Sequence, residues 1–189
     1  VQDAYLVVPA AGAPVLLVRR DVERAREQSP IRPIVAQGSV RELPSTVFDA
    51  CGSDSIKQLG LELDVLPTNT FFLFDEKLFP RQQVVDISSA VRKVRMVKSP
   101  WEIEMMRKAG EISRAVAEAV PVTLREGMTE LELSIALETV ARNAGHLGLI
   151  RLRGFNMDMY FGHVLSGPEA ATPAYGDTAT GGRGVSPAF

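Results

Sequence analysis

A strong helix-start signal at residues 95–102 divides the chain into two parts with different sequence patterns. Ser99 suits an N-cap, Pro100 suits the first helical position, and Glu102 stands three residues after the cap, as a capping box requires. Short β-branched runs alternate with short helical patterns before this point, and two long amphipathic helices and two strands follow it. The sequence therefore predicts two domains, 1–97 and 98–189.

The first part is predicted to be an α/β domain with a mixed sheet and helices on its faces. Strands are expected at 4–8, 15–18, 31–36, 59–64 and 84–87, and helices at 21–28, 44–51, 67–79 and from Ser88 onward. The loop between the first two strands contains Pro and Gly and predicts an antiparallel hairpin. An aromatic stripe at Phe71, Phe74 and Leu78 is interpreted as core.

The second part has helical periodicity. Apolar residues at steps of three or four predict a helix of roughly 20 residues that Pro121 and Gly127 interrupt; they are Met105, Ala109, Ile112, Val116 and Val120. A capping box at 129–132 opens a second helix, and Gly145 ends it. Its inward residues are expected to be Leu133, Ala136, Leu137, Val140 and Ala144. Strands are predicted at 149–153 and 160–165.

Composition excludes several classes of function. The 21 basic residues nearly balance the 23 acidic ones, so no net field draws the chain to nucleic acid or to an anionic membrane. No apolar run approaches the length of a bilayer span. Cys51 is the single cysteine, which rules out an internal disulfide and is typical of a reducing compartment. We expect a soluble, cytoplasmic protein.

Few residues are candidates for chemistry. Cys51 is interpreted as packing, and His146, just after a helix end, as a structural cation near that helix C-terminus. The glutamate pairs 102/104 and 130/132 lie in first helical turns and are interpreted as caps. His163 is expected in a strand that leads into a glycine-rich loop, where either a substrate contact or a structural hydrogen bond fits. The weak motifs at 182–184 and 184–188 are not interpreted as sites.

The region 94–130 resembles the start of the catalytic domain of the creatinase/prolidase/aminopeptidase P family. The resemblance begins at 94–109 and continues through Glu126-Gly127-Met128-Thr129-Glu130. Further segments resemble the strands that follow it, at 153–156, 162–164 and 166–167, and the family's amino-terminal domain, at 59–67 and 85–88. The resemblance covers nearly the whole chain.

This resemblance implies a creatinase-type amino-terminal domain followed by the opening of a pita-bread fold. It also implies a homodimer that cleaves peptide substrates before proline with two divalent metal ions, Mn, Co or Zn. The family's ligands are two Asp, one His and two Glu, and all are expected after residue 189, so no metal ligand or catalytic residue is assigned here. Both ends are expected to be cut, the first strands to be missing, and the fragment itself to be inactive.

One departure from the family concerns substrate binding. Many members carry a substrate-binding His shortly after the Ser-Gly that matches 166–167, but that position falls near Ala174 here, and no His follows His163. Either His163 serves instead, or the substrate preference differs. Creatinase-like and non-catalytic members share the fold, so a binding role or another C–N hydrolysis is the alternative function.

Overall fold

The computed structural model describes residues 4–53, 56–154 and 157–171, and the chain forms two units, Val1–Lys93 and Val94–Phe189. The elements of the first unit are β1 (Ala4–Val7), β2 (Val15–Val18), α1 (Val22–Gln28), β3 (Ile34–Ala36), a 3-10 turn (Val40–Glu42), α2 (Leu43–Cys51), β4 (Gln58–Leu61), α3 (Thr68–Phe72), a π-helix (Leu73–Leu78), β5 (Gln83–Asp86) and most of α4 (Ser88–Met96). Those after α4 are α5 (Pro100–Thr123), α6 (Glu130–Asn143), β6 (Leu149–Arg151), β7 (Asp158–Tyr160) and α7 (Gly167–Ala170). The predicted mixed α/β fold is confirmed.

The strands of the first unit form two small sheets. β1 pairs antiparallel with β2, which confirms the predicted hairpin, and β2 pairs parallel with β3. β4 pairs parallel with β5 in a separate two-stranded sheet. β4 ends at Leu61 rather than at 64, because β5 pairs with it only as far as Asp86.

One apolar cluster joins these two sheets to the helices. Its buried residues come from β2, α2 and the segment after α3: Val15, Leu17, Leu43, Val47, Phe74 and Phe79. Phe79 is fully buried, and its ring stacks on Phe74 at 5.9 Å and meets Phe48 edge-on at 6.1 Å. Of the predicted aromatic stripe, Phe74 is therefore core and Leu78 packs against it, whereas Phe71 is half-buried and meets Phe72 edge-on instead.

The prediction of a single helix at 67–79 is wrong in one respect, because the second half of this segment is a π-helix. The N–H of Phe79 donates to the carbonyl of Phe74 at 2.8 Å, five residues back. Residues five apart point to different sides of an α-helix, whereas the wider turn brings them together. The π-helix therefore allows both aromatic rings to enter the same core.

Both predicted capping boxes are present. The Ser99 hydroxyl accepts the Glu102 N–H at 3.3 Å, and the Glu102 carboxylate accepts the Ser99 N–H at 2.7 Å. Thr129 and Glu132 make the same two bonds at 3.2 and 2.8 Å. The Ser99 N–H and hydroxyl hold the pKa of Glu102 below its ordinary value, and those of Thr129 do the same for Glu132. The sequence thus located the starts of both long helices.

Two details of these helices correct the prediction. Pro121 lies inside α5 and does not interrupt it, because it removes only one backbone hydrogen bond and the helix ends soon afterwards at Thr123. Ala144 is the C-cap of α6 and is exposed, whereas Ala141 is buried.

Among the described residues, no helix combines the length and apolar character needed to cross a membrane.

We propose that the domain boundary lies at 97/98, in the exposed stretch between α4 and α5. Lys98 is exposed there, so trypsin should cut the full-length protein after it and release an amino-terminal fragment. Mass spectrometry of a limited digest measures the fragment's end. Resistance at Lys98 with cutting inside 59–90 would place the boundary elsewhere.

Candidate functional site

Residues 161–166, here called the 161–166 segment, run alongside α6 in the opposite direction. Phe161 contacts Arg142 near the end of α6, and Ser166 contacts Glu130 at its start. Between these two contacts, the segment and α6 line one cavity together, through Phe161 to Val164 on one side and Ser134 to Ala141 on the other. The segment therefore lies along most of the length of α6.

Glu130 binds the carboxyl-terminal end of the 161–166 segment. Its Oε1 accepts the Ser166 hydroxyl at 2.7 Å and also the Ser166 N–H, across 36 residues of sequence. The interpretation of Glu130 as a helix cap is therefore incomplete, since its carboxylate binds another part of the chain. These two donors, the hydroxyl first, hold the pKa of Glu130 below its ordinary value.

This contact predicts a dependence on pH. Because the pKa of Glu130 is lowered in the folded state, the contact stabilises the fold above the carboxylate's ordinary pKa and is lost as pH falls through the folded value. An NMR titration of the Glu130 carboxyl and the Ser166 amide should show both shifting together. In Glu130→Gln the Ser166 shift should disappear, whereas Glu132→Gln, the matched control on the same turn, should retain it.

At the amino-terminal end of the segment, Phe161 packs against the end of α6. The Arg142 guanidinium lies 5.3 Å from its ring centre, and the His146 ring lies 5.0 Å away. Gly148 has a φ of 82°, and a Cβ there would come within 2.5 Å of Arg142 and 3.1 Å of Phe161. Because this φ is positive, any other residue at position 148 would be strained whatever the space around it.

His163 lies in the middle of the 161–166 segment. The prediction that His163 lies on a strand is wrong. β7 is Asp158–Tyr160, because it pairs with β6 only as far as Tyr160. His163 lines a cavity of about 230 Å³ together with Val116 of α5 and several residues of α6. Its Nε2 atom is buried and has no hydrogen-bond partner among the described residues.

The same cavity is lined by two polar side chains, Ser134 and Glu138, that no sequence pattern singled out. The Ser134 hydroxyl donates to the Glu138 carboxylate at 3.2 Å, one turn apart on α6. The remaining lining is apolar: Val116, Leu137, Ala141, Phe161 and Val164, with Gly162. A buried polar atom without a partner is uncommon in folded proteins, so Nε2 of His163 has unused capacity to bind a polar group.

The other candidates have structural roles. Cys51 is half-buried against the core, as predicted. His146 accepts the Gly148 N–H on Nδ1 at 2.8 Å and packs on Phe161, so its structural role is confirmed. Glu104 makes a loose ion pair with Arg107 at 3.9 Å rather than a cap. The motifs at 182–184 and 184–188 and the position near Ala174 lie outside the described residues.

The described part of the chain does not fit a two-metal centre. Within it, no three or more His, Cys, Asp or Glu side chains come together as metal ligands would. Glu138 and His163 share a cavity, but the other residues lining that cavity supply no further carboxylate or imidazole. No catalytic step is therefore assigned to metal-binding residues of this chain.

Comparison with known proteins gives the family. A model described as the Creatinase/Prolidase N-terminal domain matches residues 2–97, and one described as Metallopeptidase family M24 matches residues 104–185. The probable dipeptidase PepE of Mycobacterium tuberculosis is 28% identical over an alignment of 180 residues, which covers 90% of this chain and 43% of the relative. The chain thus spans less than half the length of this relative.

Solved structures agree on the fold. The X-Pro aminopeptidase of Thermotoga maritima is 29% identical, with a TM-score of 0.56 over 72% of this chain and 37% of that one. The Xaa-Pro dipeptidase of Bacillus anthracis has a TM-score of 0.63 at 23% identity, over 77% of this chain and 46% of that one. Since the match to the amino-terminal domain alone covers just over half of the sequence, the chain belongs to the creatinase/prolidase family of M24 metallopeptidases.

Proposed function

We propose that this chain is part of a metal-dependent peptidase of the aminopeptidase P or prolidase type, which cleaves the peptide bond before proline. The observation that carries this proposal is the order of the two family matches, a creatinase/prolidase amino-terminal domain directly ahead of an M24 segment. The names of the similar structures, an X-Pro aminopeptidase and an Xaa-Pro dipeptidase, favour proline-containing peptides as substrates.

The metal ions belong to the full-length protein in this proposal. Two divalent ions, Mn, Co or Zn, would be held by two Asp, one His and two Glu in the sequence after residue 189. Such a pair, when bound, polarises the substrate carbonyl and activates water. The contribution of this chain is the amino-terminal domain, α5 and α6, and the 161–166 segment with His163 as a substrate-binding residue.

The full-length protein with Mn²⁺ or Co²⁺ should hydrolyse Ala-Pro or Ala-Pro-Ala. A chelator should abolish the activity, because the proposed hydrolysis requires both metal ions. Preference for the dipeptide identifies a prolidase, and preference for the tripeptide an aminopeptidase P. Ala-Ala and Ala-Ala-Ala are the matched controls. Calorimetry of residues 1–189 alone should show no tight two-metal site; a tight site there would contradict the proposed position of the ligands.

A second candidate function is a non-catalytic or creatinase-like member of the family. The observation that favours it is the missing histidine near Ala174, since neither of the two histidines of the sequence lies after residue 163. In that case the full-length protein would bind peptide or hydrolyse another C–N bond, and the proline peptides would stay intact in the same assay.

We further propose a cytoplasmic homodimer. The single cysteine, half-buried against the core, favours a reducing compartment. The homodimer follows from the family resemblance. Sedimentation of the full-length protein measures the assembly.

A further inference from the structure

Ser166 is the residue through which hydrogen bonds attach the 161–166 segment to α6. Its N–H and its hydroxyl both donate to Oε1 of Glu130, the hydroxyl at 2.7 Å. Its carbonyl accepts the Ala170 N–H of α7 at 3.3 Å, and Gly167, with a φ of 56°, turns the chain directly after it. The N–H, hydroxyl and carbonyl of Ser166 are therefore all bonded, which fixes the end of the segment.

The middle of the segment borders the cavity instead of bonding to α6. The described hydrogen bonds between the segment and α6 are those of Ser166, and the contact at the other end is the Phe161 ring against Arg142. His163 lies between these ends on the cavity of about 230 Å³, and its Nε2 has no partner among the described residues. The position of the imidazole therefore depends on how the two ends hold the segment.

The Ser166 end has the more directional contact of the two. Hydrogen bonds to a charged carboxylate are short and strong, and two of them converge here on one oxygen. Glu130 is itself well placed, because it is the first residue of α6 and follows Thr129, whose capping box orders that helix start. Glu130 and Ser166 are both exposed, so their contact contributes little to stability while it sets the position of the segment.

We propose that Glu130 is a positioning residue for His163. Its carboxylate holds Ser166, three residues further along the chain than His163, and thereby sets where the imidazole lies beside the cavity. The inference rests on the proposed function of His163 as a substrate-binding residue, and it adds a glutamate that does not itself touch the substrate. A displacement of about 1 Å at a reacting centre lowers a rate by roughly 100-fold, so a contact that contributes little to stability has a large effect on catalysis.

Kinetics of the full-length protein with Mn²⁺ and the proline peptides test this role. Glu130→Ala should lower kcat/KM roughly 10- to 100-fold and mainly through kcat, because a displaced imidazole stabilises the transition state less. Glu132→Ala is the matched control, since Glu132 lies on the same turn of α6 and bonds to Thr129 rather than to the segment. It should lower the Tm through the lost cap and change kcat/KM only a few-fold. Equal losses of kcat/KM in the two variants would overturn the proposal.

A double-mutant cycle shows whether Glu130 acts through His163. In a protein that already carries His163→Ala, Glu130→Ala should cause no further loss of kcat/KM. Losses that multiply would mean that Glu130 acts independently of His163, against the proposal. If Glu130→Ala does not fold, Ser166→Ala, which removes only the hydroxyl, takes its place in both comparisons.

NMR provides a measurement that does not depend on activity. The ring signals of His163, assigned by their loss in His163→Ala, should shift in Glu130→Ala and stay unchanged in Glu132→Ala. Unshifted His163 signals in Glu130→Ala would overturn the positioning role, whether or not the protein cleaves peptides. If the signals shift but the unsubstituted protein leaves proline peptides intact, the proposed function fails while the positioning of His163 by Glu130 stands.

Discussion

Replacing Phe79 with alanine is expected to lower the free energy of unfolding of the first unit by about 3–5 kcal/mol. Phe79 is fully buried, and its ring contacts Phe74 and Phe48 from two different elements. The substitution removes the transfer free energy of the ring and leaves a cavity that the surrounding side chains fill only in part.

The matched control is Phe72→Ala, because Phe72 is 47% exposed and lies at the end of α3, just before the π-helix. It should cost about 1 kcal/mol or less. The exchange rate of the Leu17 amide, measured in both variants, reports the opening of this unit separately from the second one. Equal losses in the two variants would show that the core is not centred on Phe79.

His163→Ala in the full-length enzyme is expected to lower kcat/KM roughly 100-fold if the imidazole contacts the substrate, the usual loss for one hydrogen-bond donor to a developing charge. What supports this role is the buried Nε2 without a partner among the described residues, beside a cavity. A substrate carbonyl is one group that would use it.

His146→Ala is the matched control, because that ring has a partner in Gly148 and packs on Phe161. It should lower the Tm and change kcat/KM only a few-fold. His163→Gln should recover part of the lost activity, since the amide can still donate a hydrogen bond. Unchanged kinetics of His163→Ala with a lowered Tm would instead make His163 a structural residue.

Local signals made most of the fold predictable. A cap and its partner lie within a few residues of each other, so Ser99 with Glu102 and Thr129 with Glu132 could be recognised from spacing alone. The hairpin of β1 and β2 was predictable for the same reason, since a short loop joins two β-branched runs.

The candidate site was less predictable, because its contacts are not local. Glu130 meets Ser166 across 36 residues, and nothing in a first-turn glutamate shows that its carboxylate reaches another segment. His163 was selected by its neighbours in sequence, but its strand was predicted to end five residues too late, at 165 rather than at Tyr160. Where β7 ends depends on where β6 stops pairing, which is a tertiary property.

The π-helix gives the first unit a particular sensitivity to changes in chain length. A π-turn holds one residue more between its hydrogen-bonded groups than an α-turn does. A deletion anywhere within 73–78 would restore ordinary helical spacing and rotate Phe79 out of register with Phe74. Sequence alignments that place a gap in this segment would therefore compare core positions that are not equivalent, even where every flanking residue is identical.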